Sequence, residues 1–175
     1  MTGVQTCALP ILMTTPGATK VYRTSGQKCS VIDQSFTVAN DSSLEWLPME
    51  TIFFPGAKSR FSTKFLLSGN AKVAAWEVQC LGRPAIGESF DTGSLKFSFE
   101  LWRDGAPILL DKLTIDKSEL DNAVGLRGYP VFGTFIISNT DKKVLDLVRT
   151  QMHRSEEHTS ELQSRRNLVC RLLLE

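Results

Sequence analysis

Histidine is almost missing from this chain: His153 and His158 are the only two in 175 residues, and both stand near the C-terminal end. No HExxH pair and no imidazole cage for a catalytic metal can be assembled from them. No serine in the body of the chain has a histidine to act as its base, so a Ser-His-Asp arrangement is excluded there. Cysteine is scarce as well. Cys7, Cys29, Cys80 and Cys170 include no CxxC pair, which argues against a zinc ribbon or a disulfide framework and makes a reducing compartment the simpler assumption. Neither GxxxxGK[ST] nor GxGxxG occurs, so a phosphate-cradling loop is missing. No apolar run approaches the roughly 20 residues that span a bilayer. Charge of one sign is not in excess either: 20 Lys and Arg face 19 Asp and Glu, a net charge of +1. That balance offers no electrostatic attraction for nucleic acid or an anionic membrane.

The two ends read as foreign to the protein. Thr2 to Ile11 (TGVQTCALPI) and Ser155 to Gln163 (SEEHTSELQ) can be encoded by the two complementary strands of one DNA sequence. Unrelated protein termini have no reason to show that relation. The arms of a sequencing adapter on either side of a DNA insert would produce it. We therefore expect residues 1–11 and 154–175 to be adapter-derived, and residues 12–153 to be one domain-sized internal fragment, large enough for a core. Cys7, Cys170 and His158 then carry no meaning, and His153 stands at the junction.

What is present is mostly strand signal. The densest run is Leu44 to Ala57 (LEWLPMETIFFPGA), which holds two acids, a Trp, two Phe and two prolines. Pro48 cannot donate to a ladder, so the run is expected to be two short extended pieces with a break, placed at a sheet edge. Upstream, Pro16-Gly17 marks a turn. Lys20, Tyr22 and Arg23 follow, as an anion or partner contact or as a solvated strand rim. Val31 to Ala39 and Arg60 to Leu67 read as strands, separated from their neighbours by Asn40-Asp41-Ser42-Ser43 and Ser68-Gly69-Asn70. Ser94 to Trp102 and Pro107 to Ile115 form the clearest hairpin, turned by Asp104-Gly105. Tyr129 to Ser138 is a further strand, and an amphipathic helix follows, capped by Asn139-Thr140-Asp141.

Lys72 to Leu81 (KVAAWEVQCL) carries more. Period two puts Ala74, Trp76, Val78 and Cys80 on one face, and Val73, Ala75, Glu77 and Gln79 on the other. Glu77 is thus either an exposed strand charge or a carboxylate inside the molecule. Cys80 is expected to be a small buried hydrophobe. Arg83, in the loop Gly82 to Glu88, either grips a carboxylate or fixes its own loop. Asp111 interrupts an apolar run and precedes Lys112, the pattern of an outward salt pair. Spacing alone joins no two of these acids, so carboxylate-pair hydrolysis has no support.

Four segments in order, TTPGATKVYRTSG, LEWLPMETIFFPGA, AAWEVQCLGRPAIGESF and LWRDGAPILLDKL, resemble the urease accessory protein UreD, also called UreH. The resemblance runs from Leu12 to about Arg149, about half of a typical member. It implies a mainly β fold, a helix-like stack of strands with few α-helices, truncated at both ends. It implies a cytoplasmic maturation chaperone rather than an enzyme. The partners implied are UreF, UreG through UreF, and the urease apoprotein, with no nucleic acid and no membrane. It implies no tightly bound cofactor but nickel in transit, through an internal tunnel. Glu77 and Asp111 fall where the family carries acidic residues along that tunnel, Asp111 being one methylene shorter than the expected Glu. Lys20, Tyr22, Arg23, Glu45 and Glu50 are the candidates for partner contact. The competing reading is a non-catalytic β-rich binding or structural domain unrelated to urease.

Overall fold

The computed structural model describes residues 10–26, 28–120, 126, 128–138 and 150. The expected C-terminal helix, apart from Thr150, and nearly all of the two ends expected to be foreign lie outside the described residues. The chain coils between two facing sheets. β1 (Ile11–Met13) and β2 (Thr19–Val21) lie in the first sheet, β3 (Ser30–Val38) in the second, and β4 (Ser43–Trp46) and β5 (Thr51–Phe53) in the first again. β6 (Lys58–Leu67), β7 (Lys72–Leu81) and β8 (Ser94–Arg103) continue the alternation, second, first, second. Each strand pairs in parallel with the one a full turn earlier: β3 with β6, β6 with β8, and β4 and β5 with β7. Such a stack satisfies backbone groups from one rung to the next. β9 (Ala106–Ile115) then folds back antiparallel on β8, and β10 (Val131–Ile137) runs antiparallel along the free side of β7. A single helical turn, α1 (Lys117–Leu120), lies between them. The fold is the strand-dominated stack that the resemblance implied.

The Pro48 run is two strands with a break, but not at an edge. β4 lies between β1 and β7, and β5 between β2 and β7. Proline is accommodated because Leu47–Glu50 belongs to no strand, so its missing N–H leaves no gap in a ladder. The break is held by Trp76, whose Nε1 donates to the Pro48 carbonyl at 2.9 Å, and by Thr15, which accepts from the Met49 N–H. β1 and β2 repeat the break one rung out. At the other end, Asp104 (φ 48°) and Gly105 (φ 81°) form the two-residue turn of the β8–β9 hairpin.

Inward faces follow period two. On β6, Ser59, Phe61, Thr63, Phe65 and Leu67 are buried; on β7, Val73, Ala75, Glu77, Gln79 and Leu81. Two apolar clusters result. One gathers Val38, Trp46, Phe65, Val73, Phe99 and Leu101; the other gathers Val21, Phe53, Phe61, Leu81, Leu95 and Phe132. In the second, the Phe97 ring stands edge-on to Phe53 and Phe132 at 5.4 and 5.3 Å. Edge-to-face pairs add to the area each ring buries.

Candidate functional site

The two clusters do not meet as one core, because a polar belt crosses the sandwich between them. On β6, Thr63 separates Phe61 of one cluster from Phe65 of the other. On β7, Glu77 and Gln79 separate Ala75 from Leu81. Gln34 of β3 sits in register with Thr63, and Thr51 of β5 in register with Gln79. Thr51, Thr63, Glu77 and Gln79 are all buried.

Glu77 is only 7% exposed. Removal from water pushes its carboxyl up from 4.5 to about 7, because burial penalises the charged form. The Thr63 hydroxyl donates to it and works against that rise. The Trp46 indole also lowers it, though its Nε1 lacks the geometry of a full hydrogen bond. Thr63 Oγ1 lies 3.0 Å from Gln34 Oε1 as well. One hydroxyl hydrogen cannot serve two acceptors at once. Both contacts hold together when Glu77 is protonated and donates to Thr63, which then donates to Gln34. The ionised form is served when the Gln34 amide turns its NH2 toward Thr63. Gln79 Oε1 is buried and has no hydrogen-bond partner among the described residues, an arrangement that costs about 1–3 kcal/mol.

Space lies on both sides of this belt. A cavity of about 200 Å³ is lined by Glu77 and Gln79 with Phe97, Asp111, Lys112 and Thr134, among others from β6 to β10. A second, of about 10 Å³, barely holds one water. It is lined by Glu77 and Gln79 with Thr15, Gln34, Met49 and Thr51, on the side of β2 and β3. Phe61, Glu77 and Gln79 line both, so they form the partition between them.

Of the residues singled out in the sequence, the structure brings Glu77 and Asp111 to one cavity. Asp111 is half-buried there rather than directed outward, because it shares the inward face of β9 with Leu113 and Ile115. Lys20, Tyr22 and Arg23 gather elsewhere, on the exposed end of β2. Tyr22 stacks on Phe54 at 4.8 Å, and the Arg83 guanidinium lies 5.2 Å from the same ring. Arg83 pairs with Glu88 at 2.5 Å and so fixes its own loop. Glu45 is exposed and Glu50 half-buried; neither lines a cavity. Cys80 is a correction: it stands on the outer face of β7 and is only half-buried, since the inner face belongs to odd-numbered residues. Sequence reasoning passed over Gln34, Thr51, Thr63 and Gln79. The available signal was a polar residue at core parity in an otherwise apolar alternation.

A sequence profile of the UreD urease accessory protein family matches residues 10–175. The chain belongs to the UreD family. It is 42% identical over 139 residues to the urease accessory protein UreD of Alcanivorax borkumensis, covering 79% of this chain and 47% of that one. It is 41% identical over 138 residues to the UreD of Klebsiella aerogenes, covering 79% and 50%. A putative UreD homolog of Escherichia coli O157:H7 is 46% identical over 109 residues, covering 62% and 44%. The chain thus spans about half the length of these relatives. Among the described residues, no three His, Cys, Asp or Glu side chains converge to hold a metal ion, and no helix is long and apolar enough to cross a membrane.

Proposed function

We propose that this chain is part of a urease maturation chaperone, not an enzyme, that hands nickel to the urease apoprotein along a route between its two sheets. It acts in the cytoplasm with UreF and, through UreF, with the GTPase UreG. Family membership supports the role in urease maturation and removes the reading of a domain unrelated to urease. The observation that carries the conduit is the placement of Glu77. A carboxylate buried in the partition between two cavities, with Asp111 on the larger one, suits an ion that enters, pauses and leaves. Carboxylate and amide oxygens hold Ni(II) less firmly than imidazole or thiolate, and a route must release what it binds. Lys20, Tyr22 and Arg23, with Phe54 and Arg83 beside them, offer an exposed cationic and aromatic surface for a partner protein. Aromatic and Arg side chains are the types enriched at such contacts. Glu45 and Glu50 are weaker partner candidates.

The test is made in the full-length protein, co-produced with urease and the other accessory proteins. Glu77→Gln and Asp111→Asn are expected to lower the nickel content of urease several-fold while the accessory complex still assembles. Normal nickel content in both variants overturns the conduit.

A further inference from the structure

Gln79 is unusual among the buried polar groups of the belt. Thr63 and Glu77 bond to one another, and Thr63 also reaches Gln34. Gln79 is 3% exposed, yet its Oε1 meets no donor among the described residues. It points from the inward face of β7, two residues beyond Glu77, and lines both cavities as Glu77 does. Two residues along a strand are about 7 Å apart at their α-carbons, a span that two long side chains close between them. A buried carbonyl oxygen without a donor forfeits a hydrogen bond. This one is also covered by its neighbours, and it becomes a ligand for water or a hard cation when the side chain turns toward either cavity that Gln79 lines.

We propose that Gln79 is a second oxygen ligand of the route, its side-chain carbonyl and the Glu77 carboxylate together forming an inner station for a hydrated divalent cation between the two cavities. This rests on the conduit reading above. The division of labour follows from coordination. A carboxylate in a water-poor interior attracts a dication but replaces only part of the water the ion gives up. A side-chain oxygen at position 79 beside it replaces a further water, so the ion can enter the partition. Phe61, the third residue of the partition, offers no ligand and narrows the way. An ion crossing this partition meets these two side chains. Neither is a thiolate or imidazole, so the station suits hard or borderline dications above soft ones such as Cu(I).

The experiment compares Glu77→Gln, Gln79→Leu, Gln79→Met and Gln79→Glu in the full-length protein, co-produced with urease and its accessory proteins. It measures nickel per urease active site by elemental analysis and complex assembly by size-exclusion chromatography. Leu and Met keep bulk and remove the oxygen; Glu keeps the oxygen in place. The expected result is a several-fold loss of nickel for Gln79→Leu and Gln79→Met, with assembly intact and with delivery retained in Gln79→Glu. Loss in Glu77→Gln but not in Gln79→Leu or Gln79→Met overturns the Gln79 step and leaves the conduit standing. No loss in any variant overturns both. Where Gln79→Leu prevents assembly, Met against Glu decides: equal delivery by these two, high or low, overturns the proposal.

Discussion

The two ends of the sandwich and its middle obey opposite rules. At the ends, Phe53, Phe65, Leu81, Leu95 and Leu101 are almost wholly buried among other apolar groups. Each contributes by leaving water, about 1.5–3 kcal/mol per large side chain. In the middle, Gln34, Thr51, Thr63, Glu77 and Gln79 occupy the same inward parity on neighbouring strands, where apolar residues would pack with no desolvation penalty. Glu77 gives up water and recovers one full hydrogen bond, with Thr63; Gln79 Oε1 recovers none among the described residues. A stack of this kind does not need a carboxylate at its centre. The belt is a cost to stability at neutral pH that the two apolar ends offset, the pattern expected of a belt that serves the proposed transport.

Breaking an end should be the largest effect. Phe53→Ala or Phe65→Ala, in the full-length protein, is expected to lower stability by about 3–5 kcal/mol, a loss of transfer energy plus an unfilled cavity. Urea unfolding measures it, and a loss below that of any belt substitution would refute the division between ends and middle.

Next comes the charge of the belt. Folded Glu77 keeps its proton up to about pH 7, whereas unfolded it loses it near 4.5. Between those values the folded state binds more protons, so stability falls as pH rises. The rise from 4.5 to about 7 corresponds to roughly 3 kcal/mol. Glu77→Gln should therefore match the parent below pH 4.5 and exceed it at pH 8 by up to that amount. Unfolding curves at the two pH values check this, and a constant difference between the chains would show that Glu77 does not titrate across that window.

Thr63→Val sharpens the same point with a smaller effect. It removes the hydroxyl that lowers the Glu77 pKa and should cost about 1–3 kcal/mol above pH 7. The decline in stability should then extend to higher pH than in the parent. A profile that does not move would mean that the Thr63 bond has no hold on the carboxyl. Smallest of all should be Arg83→Ala. Its pair with Glu88 is exposed at one end of the molecule, and solvent screens it. No measurable change in thermal midpoint is expected; a clear drop would show that the loop from Gly82 to Glu88 supports the strands beneath it.

Much of this was legible in the chain of residues. Alternation located β3, β6, β7 and the β8–β9 hairpin to within about two residues, since period two is written in Ser59-Phe61-Thr63-Phe65-Leu67 as plainly as in Leu95-Phe97-Phe99-Leu101. It also set Glu77 and Gln79 on one face with Val73 and Ala75. It could not say which face was inside, because both faces of β7 carry apolar residues and Trp76 lies on the outer one. Nor could it remove Pro48 from an edge, since parallel partners a full turn away leave no local signal. Asp111 beside Lys112 looked like a surface pair; only the turn back of β9 brings it to the cavity that Glu77 lines.

The sequence by itself determined the strand-rich character, the broken run at Pro48, the Asp104-Gly105 turn and the family. These depend on neighbours along the chain, or on order along it, and so survive without coordinates. Tertiary structure alone decided that Gln34, Thr51, Thr63, Glu77 and Gln79 form one belt, that two cavities share it, and that Asp111 faces one of them. Those facts depend on which rung lies against which, across tens of residues. That register is settled by the packing of two apolar clusters on either side, which no single segment contains.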